Sequence, residues 1–320
     1  MESYIGSRRV VGIALEGTRG TAESPQYYID ANSADFSDKV EKDTQNKILG
    51  TIQSKQDSKI VRKYGEGSIE SDLEDKAIGV VLSAVFGQTP STTGSTNYTH
   101  AFTVKESNVH QSLTFLMQDP NVSTKFALGM IDSFELTVDQ NARAKYKISF
   151  RSKAGVDGSA ETASYTSMGT IFLHSDLVFK IAADVASLGA AVALDILGFT
   201  LLINKNVKSR PLLGSLEEQE ITNDTFEVSG SFIVDYTDQT FRTYMTAGSE
   251  KAISAKFGSS NNSLEFVIAK AQFMWEPDAP LDDIVTQKIE FEGLKLAGSD
   301  LITAELKNQV VSYEAAGSQS

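Results

Sequence analysis

The feature that most constrains this chain is a pattern it contains twice. Residues Gly67-Ser68-Ile69-Glu70-Ser71-Asp72-Leu73-Glu74-Asp75 run into Lys76-Ala77-Ile78 and on to Gly87. Residues Gly230-Ser231-Phe232-Ile233-Val234-Asp235-Tyr236-Thr237-Asp238 run into Gln239-Thr240-Phe241 and on to Gly248. Gly, Ser, Asp and Asp fall in one register. Such self-similarity means one supersecondary unit used twice, so both copies must build and bury the same faces. Alternation in the first part of each stretch predicts a strand, and the residues that follow predict a short helix.

Each helix start has a mechanism. Asp72 and Asp235 are placed to accept from free backbone N–H groups as N-caps, with Asp75 and Asp238 in the first turn near the positive end of the dipole. Ser71 with Glu74 is an alternative capping box. Ala77, Ile78, Val81, Leu82 and Val85 form an apolar face at helical spacing, as do Phe241, Tyr244 and Met245, and both faces read as core packing. Gly87 and Gly248 are the expected C-terminal stops.

Further landmarks repeat in the same order. Ile48-Leu49-Gly50-Thr51 matches Leu212-Leu213-Gly214-Ser215, Ser112-Leu113-Thr114-Phe115 matches Ser263-Leu264-Glu265-Phe266, and Lys147-Ile148-Ser149-Phe150 matches Lys288-Ile289-Glu290-Phe291. Strands are expected at Ser112–Met117, Phe134–Val138, Lys145–Phe150, Thr225–Val234, Leu264–Ala269 and Thr286–Phe291, where alternating, β-branched and aromatic residues gather. Polar clusters at Thr89–Asn97 and Gly258–Asn262 read as turns. The expected organisation is a first copy over 1–154, a Ser-, Ala-, Thr- and Gly-rich linker over 155–167, a second copy over 168–313 and a loose tail over 314–320. Each copy is expected to be mainly β with one short helix.

The chain's 320 residues leave room for two domains of ordinary size. It has no Cys, which excludes disulfides and thiolate metal sites and points to folding in a reducing cytoplasm. A net charge of −13 argues against gripping nucleic acid, because phosphate binding needs clustered Lys and Arg. It does not argue against a protein that DNA passes without sticking. Met1–Arg9 lacks a basic start followed by an apolar run, so no secretory leader is expected. Leu188–Ile203, interrupted by Asp195, is too short to cross a bilayer and reads as buried strand or core.

Nothing in the sequence points to catalysis. His100, His110 and His174 have no second His or Cys at ligand spacing, so they read as surface or strand residues and no metal site is expected. There is no Gly-Lys-Ser/Thr phosphate loop and no Gly-x-Ser-x-Gly elbow, and Gly17-Thr18-Arg19-Gly20 reads as a loop. Acidic pairs such as Glu217-Glu218 and Asp282-Asp283 are background among 42 acidic residues. The chain reads as a non-enzymatic protein without cofactors.

Val11-Gly12-Ile13-Ala14-Leu15-Glu16-Gly17-Thr18-Arg19-Gly20-Thr21 resembles the opening of many tail tube proteins of long, non-contractile-tailed phages. Leu197-Gly198-Phe199-Thr200, Leu213-Gly214-Ser215 and Val228-Ser229-Gly230-Ser231-Phe232 are similar to that family, as is the close from Lys288-Ile289-Glu290-Phe291 to Ala304-Glu305-Leu306-Lys307-Asn308. The resemblance implies a β-sandwich or barrel-like tube domain with one flanking helix. It also implies rings of six such domains around a DNA-sized channel, stacked around a tape-measure protein and closed by tail-end proteins. Two domains per chain depart from the common single-domain pattern and reduce the ring to three chains with pseudo-sixfold symmetry. The implied setting is a virion tail assembled in the bacterial cytoplasm, a homo-oligomer without a membrane, which DNA traverses without sequence-specific binding. The alternatives are another virion ring or decoration protein such as a tail terminator, and a carbohydrate-binding β protein.

The copies differ in charge. Residues 47–63 carry Lys47, Lys55, Lys59, Arg62 and Lys63 against the single acid Asp57, whereas 217–227 carry Glu217, Glu218, Glu220, Asp224 and Glu227 with no base. These segments are expected to meet where a first copy contacts a second, within a ring or between stacked rings, and there to set domain order and register.

Overall fold

Period-two burial explains most of the chain: Phe199, Leu201 and Ile203 of one strand, and Ile302, Ala304 and Leu306 of another, are buried while their neighbours are not. The structure, a computed structural model, describes residues 5–46, 50, 52, 55–120, 122–165, 169–259, 261–278 and 284–315. The first half contains β1 (Val10–Leu15), β2 (Tyr27–Ile29), β3 (Ala31–Asn46), β4 (Lys55–Asp72), α1 (Ile78–Phe86), β5 (Ser91–Gly94), β6 (Tyr98–Phe102), β7 (Leu113–Asp119), β8 (Val122–Asp139), β9 (Lys145–Ser152) and β10 (Val156–Gly158). The second contains β11 (Leu177–Ala182), β12 (Gly198–Asn204), β13 (Lys208–Arg210), β14 (Glu220–Thr222), β15 (Glu227–Asp235), α2 (Thr240–Ala247), β16 (Lys251–Ser259), β17 (Asn262–Asp278), β18 (Thr286–Gly293) and β19 (Ile302–Asn308). The protein is mainly β, with one short α-helix in each half among the described residues.

The halves follow one pairing scheme. In the first, antiparallel neighbours run β1-β7-β8-β9-β4-β3; in the second they run β11-β16-β17-β18-β15-β12. β10 pairs with the early part of β8, as β19 does with the early part of β17. Even the register agrees, with Gly67 opposite Phe150 and Gly230 opposite Phe291. A Cβ on Gly67 would come within 2.7 Å of the Phe150 ring, and one on Gly230 within 2.4 Å of the Phe291 ring. Each repeated glycine is therefore the floor on which an aromatic ring lies.

β8 and β17 are long because each changes its pairing neighbours part-way along. The early part of β8 lies between β7 and β10, and its later part between β9 and β12. The contact with β12 joins the halves, from Gly198 opposite Asp139 to Asn204 opposite Ser133. Eight strands, β3-β4-β9-β8-β12-β15-β18-β17, thereby form one continuous run. A second bond between the halves comes from the β5–β6 hairpin, whose β6 pairs with β19. One apolar cluster holds residues of both halves, among them Phe134, Phe150, Phe232 and Phe266.

The helices end where expected, with Gly87 (φ 86°) and Gly248 (φ 59°) in the left-handed region. Their starts differ from expectation. Asp72 belongs to β4 and binds Arg143 and Asn32, and Ser71 Oγ donates to Asp30 O, so no capping box forms with Glu74, which accepts from Gly169 N. Asp238 does accept from Thr240 N at 2.8 Å. Ser112–Phe115 and Ser263–Phe266 are not counterparts: the former leads into β7, the latter lies on β17, and β7 corresponds by pairing to β16. Within Leu188–Ile203 only the last residues form strand (β12); the turns before it expose Ala190, Val192 and Ala193 and leave Leu194, Ile196 and Leu197 half-buried. Thr89–Asn97 contains strand β5, and 155–167 begins with β10. The match at Ile48–Thr51 and residues Lys47, Asp282, Asp283 and 316–320 lie outside the described residues, apart from Gly50.

Candidate subunit interface

The charged segments sit on dissimilar elements. β3 and β4 form a long hairpin, and Lys55 and Lys59 lie on its outer part, in register with Asn46 and Asp43 and exposed. The acidic segment follows β12 and contains β14, where Glu220 stands opposite Arg210 of β13. The structure brings part of one segment onto the other within the same chain. Arg62 binds Glu218 at 2.5 Å and Glu41 at 3.0 Å, with its guanidinium over the Tyr64 ring. Lys63 N donates to Leu216 O at 2.7 Å, beside an isolated bridge between Lys63 and Glu217. Glu218 is buried and also accepts from Ser209. Burial disfavours the Arg62 charge, but the carboxylates of Glu218 and Glu41 outweigh it and hold its pKa above the ordinary value. Lys55, Lys59 and Glu220 take no part in this cluster.

A buried polar seam supports the junction. Glu16 is 3% exposed and accepts from Gly20 N, Ser112 Oγ, Thr114 Oγ1 and Leu128 N at 2.6–3.0 Å. Burial pushes its pKa up, and these four bonds partly oppose that. Three residues on, Arg19 donates to His110 O and to Ile221 O of the second half. Lys205, just past β12, is buried and donates from Nζ to Ala84 O of α1 at 2.6 Å, while Asp132 O accepts from its backbone N–H. Burial and the Arg19 charge lower its pKa to about 7, against the pull of Asp132.

His100 is a strand residue, within the expectation, though buried; His110 is buried and lies outside any strand. His100 lies between Thr92 Oγ1 and Asn308 Oδ1. His110 is buried with Nε2 on Lys105 O, and burial, with Lys205 nearby, lowers its pKa to about 4. His174 is exposed. A polar residue inside a β protein looks the same in sequence as one outside, so Glu16, Lys205 and the two histidines carried no signal. For Glu16 the Gly- and Thr-rich turn after it was the only hint.

The β3–β4 hairpin and the second half face outward with unpaired strand edges. Among the described residues, β3 pairs only with β4, and the later part of β17 only with β18. A β protein whose two halves share one pairing scheme, and whose continuous sheet is open at both edges among the described residues, has the build of a subunit that adds to copies of itself. The family described as phage tail tube protein matches residues 6–293, and the chain belongs to that family. It is a structural component of a phage tail. No curated protein matches it. Among the described residues no helix is long and apolar enough to cross a membrane.

Proposed function

We propose that three copies of this chain close a pseudo-sixfold ring, and that rings stack into the hollow tube of a long non-contractile tail. The single observation that carries this reading is the repeated six-strand scheme. It is already joined edge to edge inside one chain, and one free edge remains at each end of the joined sheet. Ring closure repeats a head-to-tail contact around an axis. Fusing two domains makes half of those contacts intramolecular, which raises their effective concentration.

The face of the eight-strand sheet turned away from the core carries Glu135, Lys145, Lys147, Ser229, Ser231, Lys288, Glu290 and Glu292, with Lys288 paired to Glu290 at 2.6 Å, while Phe134, Leu136, Ile148, Phe232, Ile289 and Phe291 point inward. We read this polar face as the channel lining. Its acids repel phosphates, so DNA slides past a tape-measure protein's vacated path without the counterion release that would hold it. Tail-end proteins close the tube, and assembly takes place in the host cytoplasm before the particle is released. Negative-stain microscopy of the purified protein, with averaged end views, tests the reading. Tubes with threefold-modulated sixfold ends are expected; isolated rings that never stack would point to a terminator instead.

A further inference from the structure

The internal junction is a template for the contact between chains. β12 is the counterpart of β3, and β17 of β8. Aligning the halves on Gly67 with Gly230 and on Phe150 with Phe291 makes Ile203 correspond to Asp38, Asn204 to Lys39 and Lys205 to Val40. The same alignment makes Phe134 correspond to Trp275 and Ser133 to Met274. In the junction Ile203 stands opposite Phe134, and Asn204 opposite Ser133.

Three features of the free edges match that template. The Trp275 backbone N–H, with no strand among the described residues to receive it, donates to Met245 Sδ at 3.3 Å, and a thioether is a weak acceptor. Helix α1 is buried along its whole length, under Lys205 and Phe226 from the second half and the Tyr313 ring. In α2 only Phe241 is buried. Counting back three residues from Gly87 and Gly248, Met245 occupies the place of Ala84, the residue Lys205 reaches. On the opposite edge Val40, in the place of Lys205, is 44% exposed.

We propose that β3 of a second copy of this chain docks antiparallel on the later edge of β17, with Asp38 opposite Trp275 and Lys39 opposite Met274. The Trp275 N–H then exchanges the Met245 thioether for a β3 carbonyl, and Val40 settles on Met245 and covers α2. Before docking, the thioether caps an edge amide that would otherwise invite indiscriminate pairing. The register sets Ser37 opposite Glu276, one diagonal from Lys39, which is paired with Glu66 at 3.1 Å in the free chain and would then lie between two carboxylates. Pro277 has no N–H, so the rungs beyond it are weaker than their internal counterparts. This contact rests on the ring reading above and names the surface through which the ring closes.

Because the chain has no Cys, a Lys39→Cys, Met274→Cys double variant carries two thiols only, at opposite edges of its own sheet. Oxidation of assembled protein should give covalent dimers and trimers on a non-reducing gel, reversed by reductant. A Lys39→Cys, Gln272→Cys variant, offset by one diagonal and beyond disulfide reach, should cross-link at least tenfold less. Met245→Glu should abolish assembly with the far-ultraviolet dichroism of the free chain unchanged, and Met245→Leu should assemble as the parent does. Tubes that form without any cross-link overturn the docking and leave the ring reading intact. Equal cross-linking by both cysteine pairs overturns the register. A parent chain that forms neither rings nor tubes overturns both.

Discussion

Glu16 shows how a single buried charge can hold a bend. Leu128, whose N–H it accepts, has φ of 55°, in the left-handed region that a Leu side chain disfavours. The residue sits where β8 changes its pairing neighbours. Glu16→Gln replaces an oxygen facing only donors with an amide NH₂, so a loss of about 2 kcal/mol is expected, seen as a lower denaturant midpoint at unchanged slope. Arg62→Ala leaves the buried Glu218 carboxylate with Ser209 alone, and a loss of about 2 kcal/mol is expected, against near zero for the exposed Lys59→Ala. Lys205 makes a pH prediction. Folded, it loses its proton near 7; unfolded, near 10. Between those values the unfolded chain binds more protons, so stability rises with pH from about 7 towards 9, a component that Lys205→Met should remove from melting curves. His110, titrating at about 4 when folded and near 6.5 when unfolded, adds a similar rise between those two values.

At the scale of the element, the two helices separate what propensity sets from what neighbours set. Both follow a strand and stop at a left-handed glycine, yet one is wholly buried and the other is not. Gly79 of α1 lies under the Tyr313 ring, where a Cβ would meet ring atoms at 2.1 Å. Gly79→Ala should therefore destabilise by about 1–3 kcal/mol in thermal melts, despite the gain in helix propensity. The β3–β4 hairpin carries the other element-level test. Lys55 and Lys59 changed together to Glu should abolish tube formation, and base substitutions at Glu217 and Glu220 should partly restore it. Unchanged assembly of the first variant would show that the exposed charges are only solvated. Arg62 and Glu218 already meet inside one chain, so they are left out of this test of the proposed between-chain pairing.

For the whole molecule, neutralising Glu290 and Glu292 together to Gln should leave tubes intact and slow DNA ejection measured from reconstituted particles; an unchanged rate would remove the acidic wall from the account. The β class, the helix positions and their glycine stops were legible in the sequence, because each depends on local periodicity or on a residue type that a backbone angle demands. The repeated Gly67 and Gly230 were legible as a match but not as a cause, since the rings that lie on them come from strands far along the chain. The caps were misjudged for the same reason: Asp72 and Ser71 found partners in Arg143, Asn32 and Asp30 that no local window contains. By itself the sequence determined that a strand would lead into a short, glycine-stopped helix at both places, since alternation and glycine act within a few residues. Only the tertiary structure decided that β12 would join β8, that Lys205 would be buried at the seam, and that β3 and β17 would be left open. Those outcomes depend on which distant edges meet, and backbone hydrogen bonding between edges leaves little mark on side-chain sequence.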